Sequence, residues 1–135
     1  MQWLIDICVE KILDEIGIPP VYIHRGDPDA WDFLKGAFTR DLNWYPLDLS
    51  SIVPAGASAV NLRCFSFTSI VNPYIMFARH AVIHGYNLHS HDTPISGLGS
   101  NSTFTIGIDP DRLIQYAMAD AGIIAVDLLV CGWWL

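Results

Sequence analysis

Near the N-terminus the apolar positions Ile5, Val9, Ile12 and Ile16 fall four, three and four apart, while Asp6, Glu10, Lys11, Asp14 and Glu15 turn away from them. That spacing predicts an amphipathic helix over residues 2–16. Leu4, Cys8 and Leu13 widen its apolar face, and Gly17 followed by Pro19 and Pro20 supplies the stop. So short a helix is marginal in water and needs a surface to lie on. Two surfaces qualify: the chain's own domain, or the same stripe on other copies. Isoleucine at both seam positions leans toward trimers or larger assemblies.

From Val21 onward the period changes. Short apolar runs alternate with turn residues: Gly26-Asp27-Pro28-Asp29, Pro54-Ala55-Gly56, Asn72-Pro73, Gly97-Leu98-Gly99-Ser100-Asn101 and Asp109-Pro110-Asp111. Strands are expected at 21–24, 44–49, 58–67, 74–80, 103–108, 113–119 and 122–134. Val60, Leu62 and Cys64 alternate with Asn61 and Arg63, the period of a sheet with one face in a core. The last run differs, because Ile123 to Val126 and Leu128 to Cys131 are apolar on both faces. Such a strand sits centrally, or has one face in the core and the other in a subunit contact. Many short strands without βαβ alternation predict an antiparallel β-sandwich, jelly-roll-like, with one N-terminal helix. Residues 1–18 are then an oligomerisation or docking helix, and residues 19–135 the sandwich domain.

Charge and composition narrow the functions. The chain has 135 residues and a formal charge of −7, and only 16% of it is charged against 52% hydrophobic. An ordinary soluble domain carries about 25% charged residues, so this one has more apolar surface than a small monomer comfortably hides. Self-association follows as an expectation. Seven scattered cations against fourteen acids leave no stripe that could track nucleic-acid phosphates. Cys8, Cys64 and Cys131 are odd in number and far apart, and read as small buried apolar residues rather than a disulfide set. The first residues lack a basic secretory leader, and no apolar run reaches the roughly 20 residues of a membrane helix.

Two phrases carry a resemblance. The run from Leu47 through Pro54-Ala55-Gly56-Ala57 into Val60-Asn61-Leu62-Arg63 is one. The other is Asp109-Pro110-Asp111-Arg112-Leu113-Ile114-Gln115-Tyr116 followed by a last strand ending Gly132-Trp133-Trp134. Together with Gly85-Tyr86-Asn87-Leu88, the chain from about Arg25 onward resembles small β-sandwich domains of tailed-phage virion proteins, including tail-fibre and surface-fibre components. The resemblance implies a non-enzymatic, homo-oligomeric structural or attachment subunit located in the virion. Its partners would be other virion or fibre proteins and a host surface glycan, with no cofactor, nucleic acid or membrane insertion. An extracellular filament subunit is the neighbouring alternative. The stretch Ala78-Arg79-His80-Ala81-Val82-Ile83-His84 departs from the basic and polar residues common there.

The chemistry-bearing residues are few. His80, His84, His89, His91 and Asp92 lie within thirteen positions, and His89-Ser90-His91 on a strand would point both rings to one side. Imidazole with carboxylate suits zinc, nickel or iron. A cupin-like enzyme site would also want a Glu soon after the pair, and none follows Glu15. The other reading is a polar, pH-responsive loop or edge strand. A glycan- or metal-binding module would use Tyr86, His89 and His91. Ser96 to Ser100 lacks the Gly-x-Ser-x-Gly elbow of a hydrolase. Asp27, Asp29 and Asp32 read as turn residues rather than a calcium loop. The terminal Trp133 and Trp134 need a partner surface, either the monomer's own core or a subunit contact. With the helix stripe Ile5, Val9, Ile12 and Ile16 they make the expected oligomer interface.

Overall fold

A computed structural model describes residues 20–81 and 88–135. These residues form eight strands: β1 (Tyr22–His24), β2 (Tyr45–Asp48), β3 (Ala59–Thr68), β4 (Ile75–Arg79), β5 (Leu88–Ser90), β6 (Gly99–Gly107), β7 (Leu113–Met118) and β8 (Ile123–Trp134). A single 3-10 turn, Lys35–Ala37, interrupts the long connection between β1 and β2, and no α-helix occurs among the described residues. The expected helix over 2–16 and its stripe Ile5, Val9, Ile12 and Ile16 lie outside the described residues.

Two four-stranded sheets pack face to face, one in the order β1-β8-β3-β6 and the other β2-β7-β4-β5, and every pairing is antiparallel. The pairing is nested: first with last, second with seventh, third with sixth, fourth with fifth. Two strands refine the sequence expectation. β5 takes the edge-strand side of the loop-or-edge-strand alternative, and β6 begins at Gly99 rather than 103, because pairing of Gly99 and Ser100 with Phe67 and Ser66 overrides their turn chemistry. β8 lies inside its sheet, between β1 and β3, the first of the two places expected for it.

The core follows from the alternation. On β3, Val60, Leu62, Cys64, Ser66 and Thr68 are fully buried, while Arg63 points out. They meet Val126, Leu128 and Val130 of β8 and, from the facing sheet, Ile75, Phe77, Ile114 and Met118. A bulge disturbs the register, which passes from Asn61↔Gly132 to Leu62↔Val130 and skips Cys131. One extra residue reverses which way the strand's end faces. Trp133 therefore packs against the core, whereas Trp134 lies on Tyr22, ring centres 4.9 Å apart. Gly132 makes this possible, since a Cβ there would sit 2.4 Å from both the Ile23 carbonyl and the Tyr22 hydroxyl.

The nested order puts both described termini at one end of the sandwich. Val21 and Leu135 exchange backbone bonds of 3.2 and 2.9 Å there, beside the loops 49–58 and 108–112. The connection from β1 then runs back along β8. Arg25 and Asp32 pair, Asp32 Oδ2 accepts from the Val130 N–H at 2.8 Å, and Phe33 bridges Leu128. It reaches the opposite end, where the Leu42 N–H donates to Met118 at 2.9 Å. Four connections meet at that end: residues 40–44, 69–74, 91–98 and 119–122.

Candidate functional site

The one constellation of hydrogen-bonded reactive side chains between the sheets, among the described residues, centres on His91. It lies just beyond β5, an edge strand, with its backbone N–H donating to the Ile75 carbonyl at 2.9 Å. The His89 and His91 side chains both turn inward, as alternate strand positions should. The His91 ring is 1% exposed and bonded at both nitrogens: Nε2 lies 2.8 Å from Ser66 Oγ on β3 and Nδ1 lies 2.6 Å from Ser102 Oγ on β6. Ser102 Oγ is also 3.3 Å from His89 Nε2. His89 stacks on Phe104, ring centres 3.8 Å apart and planes at 9°, and Phe104 in turn stacks on Phe77.

Proton placement follows from satisfaction of the buried groups. Ser66 is fully buried with His91 as its side-chain partner, so its hydroxyl donates to Nε2. Nδ1–H of His91 then donates to Ser102, and the Ser102 hydroxyl donates to Nε2 of His89. The opposite direction would leave a buried Ser66 proton without an acceptor. Burial holds His91 down to about 4, helped by His89 and opposed by Asp92, so the ring is neutral at pH 7. Burial also lowers His89, again against Asp92.

With protons placed this way, the only hydroxyl among the described residues that hands its proton to the His91 ring is the buried Ser66, while Ser102 accepts from the other nitrogen. A base titrating near 4 is a weak proton acceptor at neutral pH, and catalytic bases are poised near the working pH. What the chain of four side chains does do is tie three strands, β3, β5 and β6, across the interior at the open edge of the sandwich.

The remaining candidates are dispersed. His80 follows β4 and pairs its Nδ1 with Asp109 Oδ2 at 2.9 Å, near the terminal end, roughly 16 Å of strand away from His91. Asp92 is exposed and accepts from the Ser90 hydroxyl at 3.3 Å. His84 and Tyr86 lie outside the described residues. Among the described residues no three His, Cys, Asp or Glu side chains gather in a way that could hold a metal ion. Cys64 is buried and its thiol is pushed up to about 12 by burial, while Cys131 is half-buried and raised for the same reason. Asp32 is committed to Arg25 and the Val130 N–H, whereas Asp27 and Asp29 are exposed.

Spacing found the histidine pair but not its partners. Ser66 and Ser102 stand 25 and 11 positions from His91, and nothing local marks either serine. Also unforeseen is a shallow depression of about 180 Å³ on the outer face of the β8 sheet, lined by Pro28, Asp29, Ala30, Trp31 and Leu129. Its Trp31 ring is held by the Arg63 guanidinium, 5.9 Å from the ring centre, and by Phe65. No family model matches the chain, and comparison with curated proteins finds no match.

Proposed function

We propose that the protein is a non-enzymatic structural or attachment subunit of a phage virion or fibre, assembling as a homo-oligomer of three or more copies. The nested order of the two four-stranded sheets supports this reading, because a jelly roll, an architecture that viral capsid and lectin domains use, would pair its strands in this way. Among the described residues, several groups that could do chemistry have internal partners: both nitrogens of His91, the hydroxyls of Ser66 and Ser102, and the Arg25–Asp32 pair.

The observation that carries the reading is the apolar surface left over after folding. At the corner where the described termini meet, Val21 stays 54%, Tyr22 36% and Leu135 50% exposed. Burying such surface between copies is worth roughly 25 cal/mol per Å² before the costs of association. Val21, Tyr22 and Leu135 lie together where β1 edges its sheet, directly beside the point where the chain leads back toward the stripe of Ile5, Val9, Ile12 and Ile16. In the assembly this corner faces other copies and the opposite end faces outward.

The test is the native mass of the full chain by light scattering, alone and with Val9→Asp and Ile12→Asp together. A trimer or larger species that dissociates in the double variant is the expected result. A single copy at millimolar concentration overturns the proposal.

A further inference from the structure

We propose that the end built from residues 40–44, 69–74, 91–98 and 119–122 is a docking face, and that its occupant is a protein surface with an apolar centre ringed by lysine and arginine. The inference rests on the attachment reading in one respect, that the assembled subunit presents this end outward.

Apolar exposure is concentrated there. Seven of the twelve large apolar side chains exposed among the described residues lie in these connections, the barest being Leu42 at 59%, Ile95 at 59%, Leu98 at 56% and Val71 at 55%, and an eighth, Ile124 at 53%, stands beside them at the start of β8. At about half-exposure each, they present on the order of 800 Å², the share one partner gives to a stable interface and more than the few hundred Å² a monomer normally shows.

The face is also built rather than loose. Ser69 N–H donates to Gly122 at 2.8 Å, Gly97 to Thr68 at 2.8 Å, Asn72 to Thr93 at 3.0 Å and Ala119 to Tyr74 at 2.9 Å, so the connections form one surface. Asn72 Oδ1 accepts in return from the Thr93 N–H at 3.0 Å. Beneath it the Ser66, His91, Ser102 and His89 chain fixes the strands from which two of these connections spring. A surface held this way loses little entropy when a partner arrives.

Charge selects the occupant. The four connections carry three exposed carboxylates, Asp41, Asp92 and Asp120. Their one guanidinium, Arg40, pairs with Asp120 at 2.9 Å, and the Lys35 charge also acts on Asp120, so the excess negative charge of this end rests on Asp41 and Asp92. A second copy set end to end would oppose acid to acid, and an anionic lipid surface would do the same. A partner with basic residues around an apolar centre meets both features at once.

The experiment titrates the full-length protein with two fluorescent amphipathic peptides of equal length, one of leucine and lysine and one of leucine and glutamate, read by anisotropy. The leucine–lysine peptide should bind at least about ten-fold more tightly, and added salt should weaken it. Ile95→Ser with Leu98→Ser should weaken it about ten-fold or more, and Asp41→Asn with Asp92→Asn about three-fold. Asp48→Asn with Asp111→Asn, at the opposite end, should leave it unchanged; an unchanged urea midpoint verifies the fold of each variant. Equal binding of the two peptides overturns the proposal, as does indifference to the Ile95 and Leu98 changes. So does an equal loss from the Asp48 and Asp111 changes. A fall in native mass on Ile95→Ser with Leu98→Ser would mean the occupant is another copy, which also overturns it. Full-length protein that is single-copy yet keeps the peptide dependence would sink the assembly reading and leave this one standing.

Discussion

The two ends of the sandwich solve the same problem with opposite polarity. At the end where Val21 meets Leu135, the loop 49–58 tucks Leu49, Val53 and Ala57 into the core and leaves serines, Pro54 and Gly56 outside. Its polar groups hold the turn: Asp48 Oδ1 accepts from the Ser50 N–H at 2.8 Å, and Arg112 donates to the carbonyls of Ser50 and Val53 at 3.2 and 3.1 Å. At the other end the loop 91–98 puts His91 and Thr93 inside and Ile95 and Leu98 outside. Burying polar groups under exposed apolar ones is not what folding alone would select. The first loop is packed for stability, and the second keeps an apolar face that the proposed docking partner would cover.

Truncating a loop side chain should therefore be costly at the first end and nearly free at the second. Leu49 is fully buried, and Leu49→Ala is expected to cost about 3 kcal/mol through lost transfer energy and a cavity. Urea denaturation would register it as a lower midpoint with an unchanged slope. A cost under about 1 kcal/mol would mean that this end is no better packed than the other, and the contrast would fail.

The inverted end should also be the acid-sensitive one. His91 titrates at about 4 in the folded chain against 6.5 when unperturbed, so between those values the unfolded chain binds more protons. Its stabilising effect is complete above pH 6.5, drains as the pH falls toward 4, and changes no further below that. With solvent reach allowed for, the loss is about 2 kcal/mol. The opposite end titrates elsewhere. Bonds from the Ser50 hydroxyl and N–H hold the Asp48 carboxyl below its usual 3.8. For Asp109, burial would raise the carboxyl, but bonds from the Leu113 N–H and His80 outweigh it and hold it low. Their contributions disappear only as the pH drops through those lowered values. Denaturation midpoints at pH 7, 5.5 and 4 would separate the two windows, and His91→Gln should flatten the first while leaving the second.

How much of this was written locally differs between the ends. β3 was legible because Val60, Leu62 and Cys64 alternate with Asn61 and Arg63, and β8 because its long apolar run on both faces reads as a central strand or one with a face in a subunit contact. Loop 49–58 was legible as a turn from its Pro54-Ala55-Gly56. β5 was legible only as one side of an alternative, since three residues reading Leu88-His89-Ser90 hold no period, and they become a strand only by pairing with Met76, Phe77 and Ala78. The spacing of His89 and His91 rightly placed both rings on one side. That His91 would spend both nitrogens on Ser66 and Ser102, while His80 went to Asp109, depends on contacts across the sandwich that no short window contains. The bulge at Cys131, which sends Trp133 inward and Trp134 onto Tyr22, is tertiary in the same sense.

Gly122 offers a smaller and sharper probe of whether the inverted end is rigid. Its φ of +81° disfavours any side chain, and a Cβ would come within 2.3 Å of Ile70 Cγ1. Gly122→Ala should cost about 2 kcal/mol, divided between backbone strain and that collision. In an Ile70→Ala background the collision largely goes, so a double-mutant cycle should return a coupling of about 1 kcal/mol. Additive costs would show that Ile70 moves aside freely and that this surface is softer than its hydrogen bonds imply.

The smallest expected effect is the most informative about purpose. Ile95 and Leu98 are more than half exposed, so Ile95→Ser and Leu98→Ser remove little buried area and should each change stability by no more than about 0.5 kcal/mol. Serine also suits an exposed connection, which removes propensity as a confounding cost. Solubility should rise as stability stays flat, measured as the concentration at which the full chain first precipitates under ammonium sulfate. That pairing of results would identify side chains the fold does not need and water does not favour, leaving contact with another surface as their reason. A loss above about 1.5 kcal/mol would instead place both residues in the packing of the 91–98 loop, and the end would owe its apolar face to folding after all.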